Sequence, residues 1–317
     1  MNICPCTTRR SRLSSRGAAL IMVLASLLAL SGLVLKAMES TFRQSRDTSL
    51  LTLEYQSGLQ ARGGLDIAVA LLSRTEAEEL APREQGWAGT WEDRGLRVTI
   101  VPCSARLNLN ILSAAGEYRE RAEQAVLSIF EDQRLTRSEM DHLLFWMGAL
   151  ELDGQESHGL DLVYQEKNLE YSPPQRELSR PEELLLVPGF FDMDKEWVRK
   201  FFTVWGEAEK IDINFASEKV VLALLPELEP YWGRIESLRR DSGITHPNQL
   251  LDTGMDIGLY NRVLPFISFE PRYFEVLVEV REGAWYEKHR YILEQESMDP
   301  DSPPEVLVRD VLEKKQL

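Results

Sequence analysis

The sequence predicts an α+β fold: a long N-terminal transmembrane helix on a small antiparallel sheet, with a large all-α insertion between the strands. Three observations carry that prediction. Residues 18–35 form an uncharged apolar run, segment 95–101 alternates with period two while 273–294 reads as a hairpin, and residues 112–269 repeat apolar side chains at helical spacing. The chain has 317 residues, 44% of them hydrophobic, enough for one large domain or two modest ones. Ordinary charged and aromatic shares, 27% and 9%, exclude disorder as the main state.

Residues 1–17 hold Arg9, Arg10, Arg12 and Arg16 with no acid. Ala18–Leu35, AALIMVLASLLALSGLVL, follows without a charge. At ~1.5 Å per residue that helix spans roughly 27 Å, close to a bilayer's ~30 Å hydrocarbon core. Basic residues before it orient the N-terminus towards the cytoplasm and send the remainder across the membrane. A secretory signal peptide would also begin this way, but its apolar core is usually ~7–15 residues and ends at an A-x-A-like site, absent here. A simple single-span anchor fits the run equally well. No proline occurs between Pro5 and Pro82. Met38, Phe42, Leu50, Leu53, Leu65, Leu71 and Leu72 extend the predicted helix to residue 73. Gly58, Gly63 and Gly64 each weaken it locally, by about 1 kcal/mol relative to alanine.

Beyond the helix, residues 74–111 and 270–295 form the β portion. Leu96, Val98 and Ile100 alternate with Arg97, Thr99 and Val101; Pro102 interrupts, and Leu107-Asn108-Leu109-Asn110 resumes the period. Tyr273–Gly283 reads as a strand, paired with Trp285–Glu294 through a turn at Glu282-Gly283-Ala284. Within the insertion, 119–134, 137–150, 180–186, 196–205, 217–225 and 230–240 read as helices, with Ser138 and Ser217 as N-caps. Residues 296–317, rich in proline and charge, are expected to be a flexible tail.

Composition also removes functions. With 36 basic and 51 acidic residues the net charge is −15, so nucleic acid is a poor partner. The four histidines, at 142, 158, 246 and 289, are scattered, and no H-E-x-x-H, G-x-S-x-G or phosphate-binding glycine loop is present. No catalytic constellation survives, so the chain is not expected to be an enzyme. Cys4 and Cys6 fall in the leader, which leaves Cys103 as a small packing residue without a disulfide partner.

Five stretches in order resemble the general secretion pathway protein K family, the large minor pseudopilin of type II secretion. They are the Arg16-Gly17-Ala18 junction, Val98–Asn110, the run from Tyr171-Ser-Pro-Pro through Arg180-Pro-Glu-Glu-Leu, Ile211-Asp-Ile-Asn-Phe-Ala-Ser217, and the closing hairpin from Arg272-Tyr-Phe-Glu-Val. The resemblance covers residues 16–295. It implies a pilin-like fold, cleavage by prepilin peptidase between Gly17 and Ala18, and methylation of the new amine. It further implies an inner-membrane subunit with a periplasmic main domain, at the tip of a pseudopilus. The implied partners are the I- and J-type minor pseudopilins, with secretion substrates and the outer-membrane channel as further contacts. The alternative is a membrane-anchored periplasmic binding protein outside any pseudopilus.

One absence agrees with the resemblance. Most pseudopilins carry glutamate at the fifth mature position, where it neutralises a neighbour's terminal amine within lipid. Here that position is Met22. A carboxylate in hydrocarbon costs about 2.5–3.5 kcal/mol on insertion scales, so only a subunit without a neighbour above it can dispense with the pairing.

Two further resemblances are weaker. Some K-type members bind calcium in the insertion. Here Phe145-Trp146-Met147 has lost the acid of the family's first phrase, while Asp153 and Glu156 follow, and Gly159-Leu-Asp161-Leu-Val-Tyr164 has aspartate for the second phrase's glutamate. Asp153, Glu156 and Asp161 are therefore the calcium candidates, and calcium the one candidate cofactor, against a solvated acidic loop. Ile211–Leu225 also resembles a phrase of helix-hairpin-helix DNA-binding modules. No G-h-G hairpin follows and Val187-Pro188-Gly189 offers one glycine, so the segment reads as a packing unit.

Overall fold

The computed structural model describes residues 15–74, 91–131, 135–150, 163–164, 171–241, 243–283, 285–295 and 303–316. The chain divides into two compact units, Met1–Leu59 and Gln60–Leu317. Helix α1 (Ser15–Arg74) supplies most of the first and opens the second.

In the second unit, α1 residues Ala61, Leu65, Ala68 and Leu72 are buried at i, i+3/i+4 spacing. They pack on Val98, Ile100, Val276, Val278, Tyr291 and Leu293 of the sheet. Gly64 is what permits the approach: a Cβ there would stand 2.6 Å from Val278 Cγ1. Its helix-weakening effect is thus offset by close packing.

The sheet is antiparallel and five-stranded among the described residues, in the order β1 (Trp91–Asp93), β2 (Leu96–Pro102), β7 (Tyr273–Glu282), β8 (Trp285–Glu294), β9 (Glu305–Gln316). The expected hairpin is present, with Glu282 opposite Trp285. Strands β2 and β7 are neighbours, Ile100 facing Val276, although the whole helical block lies between them in sequence.

The tail expectation is corrected here. Residues 305–316 form the last strand of the sheet, paired along β8 from Glu294↔Glu305 to Trp285↔Gln316. Backbone hydrogen bonding to β8 and ion pairs at Asp310 outweigh the charge that made the segment read as mobile.

The helical block is two copies of one plan. The first half begins with β3 (Leu107–Asn108), continues through α2 (Glu117–Ile129) and α3 (Arg137–Trp146), then a 3₁₀ turn (Pro181–Leu186), α4 (Lys195–Phe201) and β4 (Phe202–Thr203). The second repeats it: β5 (Ile211–Asp212), α5 (Glu218–Leu224), α6 (Trp232–Asp241), a 3₁₀ turn (Pro247–Thr253), α7 (Ile257–Val263) and β6 (Ile267–Ser268). Each half closes with its two short strands paired in parallel, β3 with β4 and β5 with β6.

Polar contacts recur position by position. Asn110 clasps the peptide of Leu178, donating to its carbonyl at 3.0 Å and accepting its N–H at 2.9 Å. Asn214 clasps Ile244 likewise, at 2.9 and 2.7 Å. The N–H of the next residue reaches a side chain four positions on, Ser179 to Glu183 and Thr245 to Gln249. Gly189 and Gly254 have positive φ, 99° and 85°, and a Cβ on either would strike the third residue of the preceding long helix, Glu139 or Arg234. Asp194 and Asp256 then N-cap α4 and α7.

Several local readings change. The Leu107–Asn110 strand stops after two residues, because Asn108 Oδ1 accepts the Asn110 N–H at 3.0 Å and turns the chain into a 3₁₀ segment. The helix read over 196–205 ends at Phe201, since Phe202–Thr203 pairs with β3. Residues 181–186 form a 3₁₀ turn instead of an α-helix. Thr136, not Ser138, precedes α3, with the Glu139 carboxylate returning to its backbone N–H at 2.9 Å. Ser217 is an N-cap as read, accepting from the Val220 N–H at 3.4 Å.

Candidate functional site

In the first unit, residues 18–35 of α1 carry no charge on any side, and their described side chains are exposed throughout. It is long and apolar enough to cross a membrane, which fits a single-pass anchor. A hydroxyl in hydrocarbon needs an internal partner, and Ser26 Oγ donates to the Met22 carbonyl at 2.8 Å. Gly17 and Ala18 lie within the helix. Met22 is 67% exposed. Past the apolar run, Thr41, Thr48, Ser49 and Thr52 hydroxyls return to the carbonyl four residues back, and Arg43 pairs with Glu39 at 2.5 Å. Phe42, Leu51, Tyr55 and Leu59 stay exposed beside them.

The second unit carries a buried charge cluster between the sheet and the first half of the helical block. Arg290 on β8 is 1% exposed; its guanidinium bonds Glu182 of the 3₁₀ turn at 2.6 Å and Asp310 of β9 at 2.8 Å, with Glu275 of β7 at 4.0 Å. Arg199 also holds Glu182 (2.6 Å), Arg106 holds Glu275 (2.5 Å), and Arg180 holds Asp310 (3.0 Å). Trp205 stacks its ring under Arg290 at 5.2 Å. Burial opposes the Glu182 charge, but Arg290 and Arg199 outweigh it and hold the carboxyl below its usual range. Burial, then the Glu275 charge, push the neighbouring Cys103 thiol up to about 12, so this buried cysteine stays neutral and inert. Such a cluster fixes geometry; it offers no nucleophile or open coordination site.

The calcium candidates Asp153, Glu156 and Asp161 lie outside the described residues. Their flanks are ordered by an aromatic group: Trp146 stacks on Tyr164 at 6.2 Å and meets Tyr171 edge-on at 5.9 Å. Among the described residues, no group of three or more His, Cys, Asp or Glu could hold a metal ion. His246 caps the second 3₁₀ turn, His289 bonds Glu287 at 3.0 Å, and His142 is buried in α3. The charge cluster escapes sequence reasoning, because its members come from separate elements and meet only in the folded chain.

A long apolar helix, an antiparallel sheet packed on it and further helices define the pilin-like α+β class. Among solved structures, the chain is similar to one in the crystal structure of the GspK-GspI-GspJ complex from the enterotoxigenic Escherichia coli Type 2 Secretion System. The TM-score is 0.62 at 16% identity, over 84% of this chain and 99% of that one. At that identity the likeness is one of fold. No family model matches the sequence, and no curated protein matches it.

Proposed function

We propose that the chain is a non-enzymatic minor pseudopilin of the K type, capping the tip of the periplasmic pseudopilus of a type II secretion system. The observation that carries this reading is the fold likeness spanning 99% of a chain whose structure is a GspK-GspI-GspJ complex. Met22 supports the tip position, because a terminal subunit has no neighbouring amine for a fifth-position glutamate to neutralise. The exposed apolar side chains of α1 support assembly through that helix, with I- and J-type minor pseudopilins as partners. The four leader arginines support an inner-membrane topology with the N-terminus cytoplasmic. Gly17-Ala18 is the proposed cut for prepilin peptidase, followed by methylation of Ala18. Secretion substrates and the outer-membrane channel are the further contacts proposed for the helical block, and calcium near Asp153, Glu156 and Asp161 is its one proposed ligand.

Intact mass and N-terminal peptide analysis of the membrane-extracted protein tests the reading. The expected result is a chain beginning at methylated Ala18 that copurifies with the I- and J-type subunits. Gly17→Leu should abolish trimming. A chain that begins after residue 35, or one that retains its leader and copurifies with neither partner, overturns the proposal.

A further inference from the structure

The duplication inside the helical block exposes one buried group that its counterpart lacks. Asn108 opens the first half, 3% exposed; its Oδ1 accepts the Asn110 N–H and its Nδ2 donates to the Gly206 carbonyl at 3.2 Å. Asp212 opens the second half, fully buried, and its Oδ1 accepts the Asn214 N–H at 2.8 Å in the same turn. Where Asn108 places a donor, Asp212 places Oδ2, which has no hydrogen-bond partner among the described residues. A buried acceptor left open costs about 1–3 kcal/mol, more when charged.

The surroundings do not neutralise it. From α6, Arg239 is the charged side chain whose field reaches Asp212, but its Nη1 donates to the carbonyls of Ala216 at 2.9 Å and Ile213 at 3.4 Å. Its Nε faces Glu236 at 3.4 Å, and Arg240 and Glu218 also act on it. The 3₁₀ turn Cys103–Ala105, packed on β5, brings the neutral Cys103 thiol. Lys210, beside β5, pairs with Glu207 at 2.7 Å. Strand β6 brings Ile267 and Ser268, neither charged.

We propose that Asp212 is a proton-operated latch: protonated, it sits uncharged in the buried β5–β6 junction as the neutral Asn108 amide sits in the first half, and ionisation loosens that junction. The junction matters because β6 leads the chain out of the helical block into β7, the centre of the sheet. Burial pushes the carboxyl up from 3.8 to about 7, against the backbone N–H groups of Asn214 and Phe215 and the charge of Arg239. The folded form therefore retains a proton that the opened form gives up. Protection from this source is complete below 3.8, declines as pH rises, and levels off above about 7.

Hydrogen exchange on the full chain in detergent, wild type against Asp212→Asn, tests the latch at the amides of Asn214, Phe215 and Ala216. After correction for chemical exchange, local opening in the wild type should rise roughly tenfold per pH unit from pH 5 towards neutrality and then flatten. The variant should give a flat profile and stronger protection above neutral pH. Identical pH profiles, or weaker protection in the variant at every pH, overturn the proposal. Should Asp212→Asn not fold, infrared titration of the wild type decides the matter. One protonated carboxyl persisting to near neutrality supports the latch, and none at pH 5.5 refutes it.

Discussion

The two halves of the helical block share a skeleton and differ in what is attached to it. Both have the asparagine clasp, the positive-φ glycine and the aspartate cap, at Asn110, Gly189 and Asp194 in one and Asn214, Gly254 and Asp256 in the other. In the first half, residues 149–177 separate the glycine after α3 from the clasped leucine; in the second, Gly243 directly precedes Ile244. The first half is also fastened to the sheet, through Glu182 and Arg199. The second half has Asn248 where the first has Glu182, and that amide oxygen instead accepts the Tyr260 hydroxyl at 3.2 Å. One half is thus fastened to the sheet and carries the longer connection, while the other has the compact form. The shared contacts are what the plan needs to fold, and the unshared ones mark where each copy acquired its own task.

The largest expected effect breaks the attachment. Arg290→Met removes the guanidinium and leaves Glu182, Glu275 and Asp310 facing one another in a buried site. That should cost about 3–5 kcal/mol, as for other buried pairs that lose one member. Urea denaturation reads the total, and hydrogen exchange should show the 3₁₀ turn Pro181–Leu186 and β9 losing protection while Pro247–Thr253 keeps it. Uniform loss across both turns would deny that the first half alone is fastened.

A middle-sized effect sharpens the comparison within the shared skeleton. Asn214→Ala leaves the N–H and carbonyl of fully buried Ile244 without partners, a cost of about 3 kcal/mol. Asn110 is half-buried, so water can replace part of its clasp, and Asn110→Ala should cost about 1.5 kcal/mol. Thermal unfolding of the two variants side by side checks the order. Equal losses would mean that burial does not set the difference.

Much of this architecture was legible, and the exceptions share a cause. The apolar run announces itself by its uncharged length, and strands β2 and β7 because each buries one periodic apolar face, Val98 and Ile100 in one and Val276, Val278 and Val280 in the other. Strand β9 does not, since one of its inward positions is Asp310, satisfied only by Arg290 and Arg180. Strands β3 to β6 are two residues each, too short for any period to register. The duplication survives in Asn110 and Asn214, Pro181 and Pro247, Asp194 and Asp256, but residues 149–177 break the spacing that a fixed-period search requires. The charge cluster could not be read in the same way, because it depends on tertiary partners.

The smallest effect compares the two caps. Asp256 Oδ1 accepts two backbone N–H groups, Gly258 at 2.8 Å and Leu259 at 3.0 Å, while Asp194 Oδ1 accepts one, Trp197 at 2.7 Å. Each helix is 7 residues long, so a cap serves a large share of its orphan donors. Replacing either aspartate with alanine should cost about 1 kcal/mol, and Asp256→Ala the more of the two. The fastened half has a second reason to lose less: α4 is also held through Arg199 to Glu182, and among the described residues α7 has no such ion pair. Combining Asp194→Ala with Arg290→Met separates these reasons. If attachment shields α4, the double variant should lose more than the sum of the single losses; strict additivity would leave cap geometry as the whole explanation.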